Sequence, residues 1–443
     1  RPAARAATVD LAALLAERSG SPSGFASLGA EIGLFSPLPP TVLPGGLAAS
    51  LDAVVTAGRQ LILAGSLDDP AGIVASFRLR RLGAPLAEYP RADWITGPAG
   101  EGSGGQAFVA AATMPAGTGN QHAPWHTVLV LRSGAELPLD EVPAAAVADP
   151  LPHLLAAAGH LAEVPAALEL IEPAVRQLAI DQAVRRRIAA IQLLGPPLLR
   201  PRASLALPFR CAADVERVMA MLGAEREGRS VELVLVALQS DGSALVEAAA
   251  LAAGHARSIR LVLPDGNLTR AAVPHLALEA TETPIIVMLG SGVVPRVRGW
   301  LDTLLEAVEA GPSAALGGEL ALAGLQLSGM GGSGPLPSLD VAAALRRDAL
   351  VRVGGLPIGW LDPEHRDADL TLQLLAAGYR ARVLAAPCCV RFAEIEPPWA
   401  EPAARLATAL DTRRLAARAA SYRRAIPATA GPLDPDCPLA IAI

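Results

Sequence analysis

The sequence holds no lysine. All 37 basic residues are arginine, and asparagine occurs only at Asn120 and Asn267. That bias is the mark of a GC-rich genome, read here as bacterial, so the abundance of Ala, Arg, Gly and Pro carries little functional meaning. Aromatics are scarce as well: 3 % of 443 residues, against 52 % hydrophobic residues. Much of the apolar count is therefore alanine, and the mean hydropathy of +0.38 overstates how oily the chain is. Positive charge is not in excess. A net charge of −6 with a pI near 5.7 excludes a global basic field that recruits nucleic acid or anionic membrane. No apolar run reaches the roughly 18 residues of a membrane helix. The uncharged stretch Leu320 to Leu339 is broken by Gly and Pro. No transmembrane segment is expected. The glycines and prolines follow no collagen period, and the apolar content is too high for general disorder. Cys211, Cys388, Cys389 and Cys437 lack metal-ligand spacing, so reduced thiols in a cytoplasmic protein are expected. The sequence does not begin with Met and is read as a processed or trimmed product, and Asp10 and Glu17 interrupt any secretory apolar core.

At 443 residues the chain is long enough for two or three domains. Residues 1–46 read as a leader and linker, dense in Ser, Gly and Pro. Residues 47–150 read as a small antiparallel β domain. Leu61 to Gly65, Ile73 to Leu82, Phe108 to Ala112 and Thr127 to Arg132 are its strand-like runs, with a turn at Asp68-Asp69-Pro70-Ala71-Gly72. Residues 151–200 read as a helical bridge, in which Pro173 to Leu194 has helical apolar spacing. Residues 201–400 alternate strand and helix. Val231 to Leu238, apolar but for Glu232, and Pro284 to Leu289 read as strands of the buried, parallel kind, and a helix over Leu370 to Ala377 follows. This rhythm predicts a doubly wound α/β sheet. Residues 401–443 read as a helical, Pro-rich tail.

Five segments of residues 201–393 stand in a telling order. They are Leu205-Ala206-Leu207-Pro208-Phe209-Arg210; Val231 to Ser243, which ends Gln239-Ser240-Asp241-Gly242-Ser243; Ile285 to Pro295 with Trp300-Leu301; Ala343 to Gly355, with Arg346-Arg347 and Gly354-Gly355; and Asp367-Ala368-Asp369-Leu370 through Gly378-Tyr379-Arg380. In that order they resemble the family 2 inverting glycosyltransferases of the GT-A fold. The resemblance covers under half of the chain. The β region around Gly65-Ser66-Leu67-Asp68-Asp69-Pro70 is similar to accessory modules sometimes fused to such transferases.

The resemblance implies a site for a nucleotide-sugar donor at Pro208, Asp241, Gly290, Ser291, Gly292, Arg296 and Arg391, with Asp367 as catalytic base and Asp369 as its support. The family holds its donor diphosphate through a divalent cation on an Asp-x-Asp loop. Here that loop reads Gly290-Ser291-Gly292, so no metal ligand and no divalent cofactor are expected. The position that normally contacts the nucleoside reads Ala237. Arg366-Asp367 stands where the family carries Glu-Asp, and Cys389-Val390-Arg391-Phe392-Ala393 lacks the histidine that often follows the last strand. The losses fall on metal, nucleoside and base positions, while the core-forming residues remain.

Each residue also has a plainer reading. Asp367 or Asp369 suits the N-terminus of the Leu370 helix as a cap, and that reading is favoured. Gly290-Ser291-Gly292 is either an anion-cradling nest or a strand-to-helix turn. Arg296, Arg298 and Arg391 either replace the metal's positive charge or lie on the surface. Trp125, flanked by His122 and His126, is either a sugar-stacking or an ordinary loop aromatic. The expected function is a glycosyltransferase-like protein that has lost catalysis and acts as a binding or structural subunit. The alternative is an active, metal-independent transferase that passes a sugar from a nucleotide-sugar to a glycan or small-molecule acceptor. Expected partners are a nucleotide-sugar or glycan and, through the β domain or helical bridge, further copies in a homo-oligomer or a larger complex.

Overall fold

The computed structural model describes residues 46–425 except 82–83, 100–104, 114–125, 140–148, 226, 240–241, 267, 269, 291–292, 296, 310–312, 317–318, 321–335, 338–341, 384–388 and 392–398. It divides into two compact units, Arg1–Pro150 and Leu151–Ile443.

In the first unit, β1 (Ala48–Ala57), β2 (Gln60–Asp68), β5 (Ile95–Ala99) and β6 (Gln106–Thr113) form one antiparallel sheet, in the order β1-β2-β6-β5. A second antiparallel sheet, ordered β4-β3-β7-β8, contains β3 (Val74–Arg81), β4 (Ala84–Pro90), β7 (His126–Leu131) and β8 (Glu136–Pro138). Leu61, Leu63 and Phe108 from the first sheet share a core with Phe77, Leu79 and Leu129 from the second. The expected antiparallel β domain forms as a sandwich of these two sheets. Its few aromatics are concentrated there: the rings of Trp94 and Phe108 stack on Phe77 at 4.6 and 5.0 Å. The turn at 68–72 is fixed by Asp69, whose carboxylate accepts the Ile73 and Val74 amides at 2.9 and 3.1 Å and pairs with Arg91. Burial opposes the charge on Asp69, but these donors outweigh it and hold its carboxyl below the usual range.

The second unit is built on an eight-stranded sheet ordered β19-β15-β18-β13-β10-β11-β12-β9. Its strands are β9 (Ile188–Leu194), β10 (Ala203–Phe209), β11 (Val231–Ala237), β12 (Ile259–Pro264), β13 (Ile285–Leu289), β15 (Ser313–Leu316), β18 (Ala342–Arg346) and β19 (Arg380–Val383). β12, β11, β10 and β13 run parallel, while β9 and β18 run antiparallel on either side of them. Outside this sheet, β14 (Val293–Pro295) pairs with β20 (Cys389–Arg391), and β16 (Glu319–Leu320) with β17 (Leu336–Pro337).

Every residue of β11 is buried, including Glu232, whose carboxylate pairs with Arg260 at 2.9 Å. Alternation sends Leu233 and Leu235 to one core and Val234 and Val236 to the other. Helices α3 (Ala212–Ala224), α4 (Ser243–His255) and α6 (Trp300–Glu309) cover the first face. Helices α5 (Val273–Glu279), α7 (Arg347–Arg352) and α8 (Pro363–Ala376) cover the second. This is the doubly wound α/β architecture that the sequence implies, and the antiparallel β unit precedes it in the chain.

Helices α1 (Pro150–Ala157), α2 (Pro165–Arg185) and α9 (Ala403–Ala425) belong to the same compact unit. Two expectations are corrected. The helix predicted over Pro173 to Leu194 stops at Arg185, and Ile188–Leu194 is instead a strand paired with β12. Ile188, Ile191 and Leu194 fit helical spacing equally well, and the open edge of β12 decides between the two. The helix predicted to begin at Leu370 begins at Pro363.

Candidate functional site

Ligands of open α/β sheets bind at the carboxyl ends of the parallel strands. Here those ends are Phe209, Ala237, Pro264 and Leu289. β19 runs parallel to β15; β15 and β13 both oppose β18, so β19 points the same way as β13. Helix α8, which leads into β19, therefore starts at that carboxyl edge. The edge gathers Pro208, the Gly290 turn and the acidic start of α8.

Pro208 lies in β10 opposite Val236, and the Leu238 amide donates to the Phe209 carbonyl at 3.0 Å just beyond it. At Gly290 the chain turns sharply, with the Val293 amide 3.3 Å from the Gly290 carbonyl. β14 then places Val293 opposite Arg391, so the backbones of the Gly290 turn and of the Arg391 strand are brought together. Asp241, Ser291, Gly292, Arg296 and Trp125 lie outside the described residues, as do Cys388 and Cys437. Among the described residues no group of three or more His, Cys, Asp or Glu is placed to hold a metal ion. No helix among them is long and apolar enough to cross a membrane.

Helix α8 carries Asp367 and Asp369, the two carboxylates expected at the site. Its N-cap is Asp362, whose Oδ1 accepts the Glu364 amide at 3.1 Å, followed by Pro363 in the first turn. Neither Asp367 nor Asp369 is the cap. That reading is corrected because the helix starts upstream of both. Asp367 lies in its interior, 1 % exposed. The Arg366 guanidinium donates from Nε and Nη2 to its Oδ1, at 2.9 and 2.7 Å. From Nη1 the same group donates to the Ala271 carbonyl at 2.6 Å, which ties α8 to the segment leading into α5. Asp369 is 0 % exposed and turns the other way, toward α9. Its Oδ1 accepts from Arg418 Nε at 2.6 Å and Tyr422 Oη at 3.1 Å, and its Oδ2 accepts from Gln373 at 2.8 Å.

Sequence reading missed the buried network behind this helix. Asp411, in α9, pairs with Arg176 of α2 and accepts the Leu361 and Asp362 amides at 2.9 and 2.8 Å. Burial pushes the Asp411 carboxyl up against the pull of Arg176 and His365. His365 bridges Asp362 at 2.8 Å and Thr412 at 3.0 Å. The Trp360 ring lies under the Arg414 guanidinium, 4.6 Å from its centroid. One signal was available: Asp362-Pro363 is a cap followed by a proline suited to the first helical turn. The long-range partners Arg176 and Asp411 carried none.

The Arg346-Arg347 segment lies elsewhere. It follows β18, whose end is level with the start of β13, so it sits at the amino edge of the parallel strands. Arg347 anchors α7 there, donating to the Thr283 carbonyl at 3.0 Å and to Thr281 Oγ1 at 2.8 Å. Arg202, Ile285, Glu309, Arg346, Asp348 and Val351 line an open depression of about 800 Å³ at this edge. Arg202 pairs there with Glu309, and Arg346 with Asp348.

No family model matches the chain, and no curated protein matches it. Among solved structures it is similar to a mannosyltransferase from Pyrobaculum calidifontis in complex with GDP-Man and Mn²⁺. The identity is 18 % over 61 % of this chain and 88 % of that one, with a TM-score of 0.35. It is also similar to TarS residues 1–349 of S. aureus, at 12 % identity over 40 % of this chain and 55 % of that one, with a TM-score of 0.27. The UDP complex of that protein matches at 11 % identity with the same coverage and TM-score.

Proposed function

We propose that the second unit is a glycosyltransferase-like domain that has lost its reaction and serves as a binding or structural subunit. The observation that carries this reading is the buried Arg366–Asp367 pair. A general base must meet the acceptor hydroxyl within hydrogen-bond reach. Asp367 is instead enclosed, with one oxygen taken by two guanidinium donors. The loop that begins at Gly290 supports the same reading, because Leu289 to Pro295 contains no carboxylate for a hard cation.

A nucleotide-sugar or glycan remains the class of ligand for which the carboxyl edge is built. One observation favours the active, metal-independent alternative: the strand bearing Arg391 runs beside the Gly290 turn. Arginine there would supply bidentate positive charge to a diphosphate in place of a metal.

Thermal unfolding with UDP, GDP and their sugar conjugates, each with Mn²⁺ and with EDTA, tests the reading. Stabilisation that is absent, or equal in the two conditions, is expected. Stabilisation that requires Mn²⁺ contradicts it.

A further inference from the structure

The depression of about 800 Å³ at the amino edge of the parallel strands lies away from the carboxyl edge, and the function proposed above does not use it. Part of its wall is apolar: Ile285 and Val308 are buried, and Val351 beside them is 72 % exposed. Four guanidinium groups line it, those of Arg202, Arg346, Arg347 and Arg352, against two carboxylates, Glu309 and Asp348. Positive charge is therefore in excess. Exposed Glu282, which acts on Arg347, offsets part of that excess but not all of it. Arg202 grips Glu309 through Nε and Nη2, and Arg346 grips Asp348 in the same way. Both forks are partly exposed, so water weakens them and a further anion can compete for the guanidinium. Arg347 spends its donors on the Leu278 and Thr283 carbonyls and on Thr281 Oγ1, so it fixes the wall and leaves its charge there. Arg352 is exposed and leans over the Tyr379 ring, 5.7 Å from its centroid, and among the described residues no carboxylate pairs with it. Tyr379 also acts on Arg346, so the two cations are near each other.

We propose that this depression binds one soluble organic anion, a molecule with an apolar body and a carboxylate or phosphate head. Both heads match the planar, bidentate donor pattern of a guanidinium, and Arg346 and Arg352 are placed to receive them. The apolar body lies against Val351 and the hydrophobic wall, where it is removed from water. A single small molecule fits the concave shape and the volume. A membrane does not, because a chain of net charge −6 presents no broad basic field to an anionic bilayer. The inference stands apart from whether any sugar is transferred at the carboxyl edge.

Titration calorimetry of the full chain tests it, with octyl phosphate and octanoate as probes and octanol as the neutral control. One anionic probe is expected to bind per chain, with octanol at least about tenfold weaker. Val351→Asp and Arg352→Gln, both on exposed side chains, are each expected to weaken binding at least about fivefold while the unfolding midpoint stays in place. Asp348→Asn releases Arg346 from its partner and keeps an oxygen for the Ala349 amide, so it is expected to tighten binding about threefold. Absence of binding by both anionic probes at millimolar concentration overturns the proposal. So does octanol binding as well as octyl phosphate, an affinity that Val351→Asp and Arg352→Gln leave unmoved, or a failure of Asp348→Asn to tighten it. Capture of the chain by phosphatidylglycerol vesicles, without binding of the free probes, would assign the surface to a membrane and equally overturn it.

Discussion

Arg366 folds back onto its immediate neighbour Asp367, so that Nε and Nη2 both point at one carboxylate oxygen, at 2.9 and 2.7 Å. Adjacent helical residues do not ordinarily face each other. The contact forms here because both side chains are buried, 4 % and 1 % exposed, and each charge has to be met locally.

Breaking that pair is therefore costly. Arg366→Met leaves Asp367 charged and buried, and should lower the unfolding free energy of the second unit by about 3–5 kcal/mol. Urea denaturation checks this. A loss below about 1 kcal/mol, the level of an exposed pair, contradicts the burial described here.

His275 gives a pH dependence. Burial first, then the Arg366 and Arg186 charges, depress its pKa from 6.5 to about 3. The folded value lies below the unfolded one, so the stabilisation is complete above about pH 6.5 and is lost as pH falls toward 3. Between pH 8 and pH 5 this group should cost the second unit about 2 kcal/mol. His275→Gln should remove that part of the slope. Parallel stability–pH curves for wild type and variant would contradict it.

Gly65 tests the first unit. A Cβ at this position would stand 2.2 Å from the Ser50 carbonyl oxygen, where β1 bulges between Leu51 and Ala53. Gly65→Ala must push the two strands apart, and should cost about 1–3 kcal/mol. Chemical denaturation followed by the fluorescence of Trp94 reads it. An unchanged midpoint contradicts the close approach.

The N-cap supplies a fourth test. Asp362→Ala removes the acceptor for the Glu364 amide and the partner of His365, and should cost about 1–2 kcal/mol. Asp367→Asn should cause no loss of capping, because Asp367 lies inside the helix. Amide exchange at Glu364 separates the two: faster in Asp362→Ala, unchanged in Asp367→Asn.

The layers of the fold were legible because they are local. Val231–Ala237 is apolar but for Glu232, Ile285–Leu289 is an unbroken apolar run, and Trp300, Leu301, Leu304, Leu305 and Val308 mark one buried helical face. Ile188–Leu194 was not legible, since its spacing suits a helix and only the neighbouring β12 edge makes it a strand. Sequence placed Asp367 and Asp369 at a helix N-terminus, whereas both lie inside α8. The position of Asp367 depends on where the helix begins and on Arg366 folding back. The network beyond it depends on Arg176 and Asp411, which are distant in sequence and meet only in the fold.

We propose above that Asp367 does not act as a base. Turnover of UDP-sugars and GDP-sugars, by transfer or hydrolysis, tests it most directly in the wild type and in Asp367→Asn, with Mn²⁺ and with EDTA. Both proteins should release nucleoside diphosphate no faster than a protein-free control. Release by the wild type that disappears in Asp367→Asn, with the fold intact by circular dichroism, would contradict the account.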